Sequence, residues 1–200
     1  MKNIYSVREA LNGLSCFTER DAAVTSAQMR GRNFSSSLVK GVAARCRWGM
    51  PQAVVCRPVY RGAPFPTLFW LTCPYLSHIC GVLESAGAVK ELEGYLNCCA
   101  DKFRKYTINY VLARLSVLSR PEIKYIRLYR PEIWTVLHRT GIGGIRSGTP
   151  ITVKCLHLQT ATMLGLSGHP GESWLRSKFS QLCCKDASCH YLIEGVKKSL

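Results

Sequence analysis

The sequence predicts an α+β protein, a small three-stranded sheet near residues 42–73 packed against several helices in one domain. After Val42 the chain falls into short β-prone runs punctuated by Gly and Pro. After Pro74 its apolar residues recur at spacings of three and four, the period of a helix. With 200 residues and 47% hydrophobic content it can bury one substantial core, and nothing in its length requires a second.

Residues 1–40 are polar, Ser-rich and weakly periodic, and read as a short helix near the start followed by a loose basic arm ending in MRGRNFSSSLVKG. VAARCRW, AVVCRPVY and TLFWLTC are the three strands, the first two joined by a turn at Gly49, Met50 and Pro51. Leu76, Ile79, Cys80 and Leu83 then share one helical face, with Gly87 as the stop. A second helical pattern runs from about Val89 to Leu118, with Leu92, Leu96, Cys99, Phe103, Tyr106 and Val111 on one stripe. Pro121 and Pro131 each suit the first turn of a further short helix. Residues 141–150, GIGGIRSGTP, form a glycine-rich loop. Its Thr149 is a good N-cap and Pro150 a good first helical residue, so the helix carrying VKCLHLQTATML is expected to begin there. A last helix is expected over residues 172–182. The predicted organisation is an arm at 1–40, a domain at 41–182 and a Cys/His-containing tail at 183–200, without internal repeats.

The chain carries 27 Lys and Arg against 12 Asp and Glu, a formal net charge of +15, and such a field attracts polyanions. RNA, DNA, anionic lipid and phosphorylated ligands are all admissible partners; the alternative is that the excess serves solubility. The N-terminus, MKNIYSVREALNG, lacks the apolar centre of a secretory signal, and no run reaches the roughly 18 to 20 apolar residues of a membrane span. A soluble, cytoplasmic protein is expected, in which the 11 cysteines stay reduced and serve as core thiols, metal ligands or reactive groups.

The segments RCRWGMPQAVVCRP, APFPTLFWLTCP, LESAG, GIGG, VKCLH and HPGE occur in that order. Together they resemble an uncharacterised bacterial family, domain of unknown function 501, over roughly residues 28–175. FPT, LTCP and KCLH in combination form the specific part of the signature, and the resemblance implies no particular activity. It implies cysteines at Cys46, Cys73 and Cys155, a histidine at His157, and a cysteine near the C-terminus, represented by Cys189 or else by Cys183 or Cys184. Trp48 stands where some relatives place a second cysteine, and Gln159 where some place another histidine.

Thiols with an imidazole are soft or borderline ligands, so Cys46, Cys73, Cys155, Cys189 and His157 are the candidate metal set, for zinc or an iron-sulfur cluster. They come from distant segments and contain no CxxC pair, so the fold must assemble them next to His157. The alternative is packing, to which Cys56, Cys80 and Cys99 on apolar stripes are assigned. Cys73 just before Pro74 also sits at the positive end of a helix macrodipole, which would lower its pKa. Cys73 or Cys155 could then act as a nucleophile with His157 as base, with Glu84 or Glu172 orienting the imidazole or serving as surface or capping carboxylates. His78, His138, His169 and His190 lack a comparable context.

The amides of Gly141, Gly143 and Gly144, with Arg146 and Lys154 and the dipole of the helix that follows, make a candidate anion site; the alternative is a tight connection needing positive φ. Arg120, Lys124, Arg127 and Arg130, interleaved with Tyr125, Tyr129 and Trp134, are the candidate nucleic-acid residues, against the alternative of a solvated cationic face over core aromatics. Three readings follow. One is a metal centre with a nucleic-acid-binding surface. The second is a thiol-dependent enzyme acting on a small phosphorylated or carboxylated substrate, and the third is a structural adaptor.

Overall fold

The computed structural model describes residues 14–146 and 148–189. In chain order the elements are α1 (Glu19–Gln28), β1 (Val39–Arg45), β2 (Pro51–Cys56), the two-residue strands β3 (Val59–Tyr60) and β4 (Ala63–Pro64), and β5 (Phe69–Leu71). Then follow α2 (Pro74–Ser85), α3 (Ala88–Asn97), α4 (Ala100–Ser116), α5 (Arg120–Tyr129), α6 (Pro131–Arg139), α7 (Leu156–Gly165) and α8 (Glu172–Lys178). None of these helices is long and apolar enough to cross a membrane.

PQAVVC is buried at every position because β2 is the central strand of an antiparallel sheet in the order β1-β2-β5, covered on both faces. Its register sets Ala53 against Leu71 and Val55 against Phe69. Those four side chains face the main core, where they meet α2, α3, α4 and α7. The alternate residues Val54, Cys56 and Trp70 face a smaller cluster with Leu38, Val39, Phe34 and Phe65. The predicted sheet and its helical cover are therefore present, with the β3–β4 hairpin added between the second and third main strands.

Helix α7 runs under the sheet and is buried on nearly all sides. Gly165 makes this approach possible, since a Cβ there would collide with the ring of Phe69. At the same end of the helix the Tyr106 hydroxyl donates to the carbonyl of Leu166 at 2.8 Å.

Three boundaries differ from the sequence reading. The pattern over residues 89–118 is two helices, because the Asn97 amide turns back to the Glu93 carbonyl and bridges to Ile151, ending α3 before Cys98 and Cys99. The helix expected from Pro150 begins at Leu156. Ile151 and Val153 are instead buried with exposed neighbours between them, and their N–H groups donate to Asn97 Oδ1 and Glu93 Oε1 of α3. This stretch satisfies its backbone against another helix and has no need to coil. The last helix stops at Lys178, because Phe179 leaves in an extended conformation to enter the core.

The glycine loop is organised by a buried cation. Arg114, with no exposed surface, donates to the carbonyls of Pro66 (2.9 Å), Gly141 (3.1 Å), Thr140 (2.5 Å) and Leu137. No carboxylate faces it among the described residues; the carbonyls ending α6 supply the negative field. Burial pulls its pKa down from the ordinary arginine value.

Within residues 14–40, Thr18 and Asp21 form a capping box at the start of α1. Asp21 is buried and takes a two-point contact from Arg45 of β1, with Nη1–Oδ1 at 2.6 Å and Nη2–Oδ2 at 2.9 Å. The short helix expected near the start falls partly on residues 1–13, outside the described residues.

The Arg45 guanidinium holds the Asp21 carboxyl down at about 2, below its ordinary 3.8. A carboxyl depressed on folding stabilises the fold above its unfolded pKa, and that stabilisation is lost as pH falls from about 4 towards about 2. Asp21→Asn should cost at most about 2 kcal/mol at neutral pH and lessen the fall of the urea midpoint as pH drops through that window.

Candidate metal centre

Helix α2 carries a candidate residue at each end. Cys73 is its N-cap, followed by Pro74 as first helical residue; Glu84 lies in its last turn. Eleven residues at 1.5 Å rise put the two roughly 16 Å apart, so groups assembled at one end cannot join groups at the other. This separation divides the predicted metal set.

At the Glu84 end, one carboxylate oxygen organises the start of α7. Glu84 Oε1 accepts from Leu156 N at 2.6 Å, His157 N at 3.3 Å and His157 Nδ1 at 2.9 Å. Cys155 occupies the N-cap position in extended conformation and makes no capping bond with its own side chain, so Glu84 caps the helix from outside. The ligand atoms of Glu84, Cys155 and His157 all lie within 4.8 Å of one another. Glu84 and His157 are each about a quarter exposed, at 26% and 27% of their side chains. Hydrogen bonding with Cys155 raises the His157 pKa, burial works against the rise, and the Glu84 carboxylate adds to it. The group thus offers a thiol, an imidazole and a carboxylate at a solvent-reachable point.

At the Cys73 end, Cys46, Cys73, Cys184 and Cys189 line one small cavity, and neither Cys155 nor His157 reaches it. The expected convergence of Cys46, Cys73, Cys155 and Cys189 beside His157 is thereby corrected. The helix between Cys73 and Glu84 keeps the two sets apart. The expectation of a lowered Cys73 pKa is corrected as well. Burial pushes its thiol up to about 12, outweighing the downward pull of the backbone amides at the start of α2.

Gln159 turns away from His157 and accepts a 2.8 Å bond from Nε2 of His169, whose Nδ1 accepts from Gly171 N. His169 is buried, and burial lowers its pKa to about 4. No signal near it in the sequence marks this role, because its partner and the rings of Phe103 and Tyr106 come from other segments. Glu172, the other carboxylate considered for the imidazole, pairs with Arg176 at 2.8 Å.

In the glycine loop, Gly143 and Gly144 have φ of 68° and 85°, and a Cβ on Gly144 would press on Pro66. Gly141 N donates to the Ile145 carbonyl and Gly144 N to the Gly141 carbonyl, so these amides close the loop on itself. The helix whose dipole was to serve this anion site starts at Leu156 instead, with its first amides taken by Glu84. Arg146 does line a cavity of about 30 Å³ beside Gly141, and Lys154 packs its side chain near Gly143.

Of the cationic set, Arg120, Lys124 and Arg127 line one shallow groove on α5 together with Ile123 and Leu128. Arg130 lies apart, held by Glu132 at 2.5 Å and the Gly62 carbonyl at 3.1 Å.

A family model described as protein of unknown function (DUF501) matches residues 42–175. The chain belongs to the DUF501 family. No curated protein and no solved structure matches it. Glu84, Cys155 and His157 all fall inside the DUF501 segment, whereas the second thiol set draws Cys184 and Cys189 from beyond its end.

Glu84→Ala removes the external cap of α7 and should cost about 1 kcal/mol in denaturant unfolding. It should also remove the carboxylate's upward pull on His157, visible as a lower imidazole pKa by NMR titration.

Proposed function

We propose that this protein binds a metal ion through Glu84, Cys155 and His157, and that a cationic face on α5 engages single-stranded nucleic acid. The observation that carries the metal reading is the approach of three different donor types, from two helices, to within 4.8 Å of one another. Thiolate, imidazole and carboxylate together suit zinc, whose sites accept all three. A set with one thiolate suits an iron-sulfur cluster poorly, since such clusters are held by several cysteines. Three protein donors leave a fourth position for water or substrate, the arrangement of zinc sites that do chemistry.

The test is metal content and affinity. Protein prepared in reductant should retain zinc, and Cys155→Ser and His157→Ala should each weaken zinc binding at this centre by at least tenfold in a chelator competition. Unchanged affinity in both variants would sink the reading.

A second reading is supported by the same geometry. Cys155 stands at the head of α7 beside His157, whose ring is held by Glu84, the order of nucleophile, base and orienting group. It predicts that Cys155 of the zinc-free protein is alkylated faster than the buried Cys73, and that His157→Ala slows Cys155 alone. Equal rates in wild type and His157→Ala would exclude it.

The nucleic-acid reading draws on Arg120, Lys124 and Arg127 sharing one groove, with Tyr125 and Tyr129 exposed on the same helix, their ring centroids 5.3 Å apart. Affinity for a single-stranded oligonucleotide should fall steeply with salt, and the triple change of these cations to Glu should abolish it. Salt-independent binding, or no loss in the triple variant, would exclude this face.

A further inference from the structure

The centre at Glu84, Cys155 and His157 leaves most of the sulfur unused. Cys46 of the β1–β2 turn, Cys73 at the head of α2, and Cys184 and Cys189 beyond α8 line a cavity of about 10 Å³. We propose that this cavity is a zinc-thiolate site formed by Cys46, Cys73, Cys184 and Cys189, and that the ion latches the segment 182–189 onto the β1–β2 hairpin.

Three features point to a thiolate site rather than to cysteines that only fill space. The sulfurs come from three segments yet face one void, and that void has room for about one water-sized sphere. It fits a single ion and not a four-iron cluster. Next, an N–H donor is already aimed at one of the sulfurs. Gln28 Nε2 donates to Cys189 Sγ at 3.2 Å. A neutral thiol accepts such a bond weakly, but a metal-bound thiolate accepts it well, so this donor is outer support of the kind such ligands need. Finally, the segment is positioned independently of any ion. Gln52 Nε2 donates to the Leu182 carbonyl, while Trp48 Nε1 (2.9 Å) and Arg47 Nη2 (3.2 Å) donate to the Cys184 carbonyl. Between the two cysteines Ala187 adopts a left-handed φ of 52°, a conformation that side-chain-bearing residues rarely take, where the chain turns back to bring Cys189 to the same void.

These sulfurs do not stand as close together as the ligand atoms of Glu84, Cys155 and His157. A tetrahedral site with bonds of about 2.3 Å holds its sulfurs roughly 3.8 Å apart, so binding must draw them inward. Each thiol releases its proton to solvent as its sulfur takes up the ion, and no oxidant or reductant is consumed. The segment after Leu182 is tied down by a few hydrogen bonds, so it is the part able to move. Zinc should therefore tighten the tail.

The test compares wild type with Cys46→Ser, Cys189→Ser and Cys155→Ser, prepared without oxygen in reductant. Loss of one zinc equivalent in Cys46→Ser and Cys189→Ser, with that equivalent kept in Cys155→Ser, is the expected result. Cobalt in place of zinc should give near-ultraviolet thiolate absorption several times stronger in wild type and Cys155→Ser than in Cys46→Ser or Cys189→Ser, where Cys155 is the one thiolate ligand left at a complete centre. If a serine variant fails to fold, wild type alone still decides. Zinc should shield Cys184 and Cys189 from iodoacetamide and slow tryptic cleavage after Lys185, and chelation should reverse both. Zinc content unchanged in Cys46→Ser and Cys189→Ser, or alkylation indifferent to zinc, overturns the proposal. Loss of all zinc in Cys155→Ser would also overturn it while leaving the centre at Glu84 standing. Loss only in Cys46→Ser and Cys189→Ser would do the opposite.

Discussion

One carboxylate oxygen holds the candidate centre of this protein together. Oε1 of Glu84 accepts from two backbone amides at the head of α7 and from the ring of His157, so it caps one helix from the last turn of another. A negative charge at a helix N-terminus is favourable, and partial burial lets that attraction escape some of the screening of bulk water. The same contact sets the direction of α7, the helix on which the sheet and α2 both pack. The cap of α7 and the donor geometry of the candidate centre therefore share a single placement.

Helix α2 gives the molecule its two chemically different ends. Its first residue follows a buried cysteine among other thiols, and its last turn presents a carboxylate to an imidazole about a quarter exposed. Burial dominates at the first end, where the Cys73 thiol is held neutral despite its place at the head of a helix. Hydrogen bonding dominates at the second, where the rise in the His157 pKa survives partial burial. Two cysteines, each at a helix start, thus have unlike surroundings, and the macrodipole alone does not decide what a thiol does.

Arg114 shows the same competition for a cation. It is fully buried with no carboxylate facing it among the described residues, and its charge meets carbonyls from the end of α6, the glycine loop and Pro66. The loop that looked suited to anions in the sequence spends its polar groups on closing itself and on this guanidinium. Much of the chain's other positive charge stays at the surface, including the α5 groove, where it remains available to a partner.

Local features were readable from the sequence because they depend on near neighbours. Short β-prone runs bounded by Gly and Pro, among them AVVC and TLFWL, marked strands, Pro74, Pro121 and Pro131 marked helix starts, and KCLH drew attention to Cys155 and His157. Glu84 was visible as a carboxylate that could meet His157, but not as the cap of α7, since capping from outside depends on where a second helix ends. Tertiary structure alone decided the partition of the cysteines. The sequence set Cys73 just before a helix and Cys155 within one; in the fold both stand at helix starts, and the length of α2 keeps them in separate donor groups. It likewise decided the extended run before Leu156 and the Gln159–His169 pair, whose backbone and side-chain partners lie in elements far along the chain. Periodicity records which face of an element is buried; what that face is buried against depends on distances between elements, which no short stretch of residues encodes.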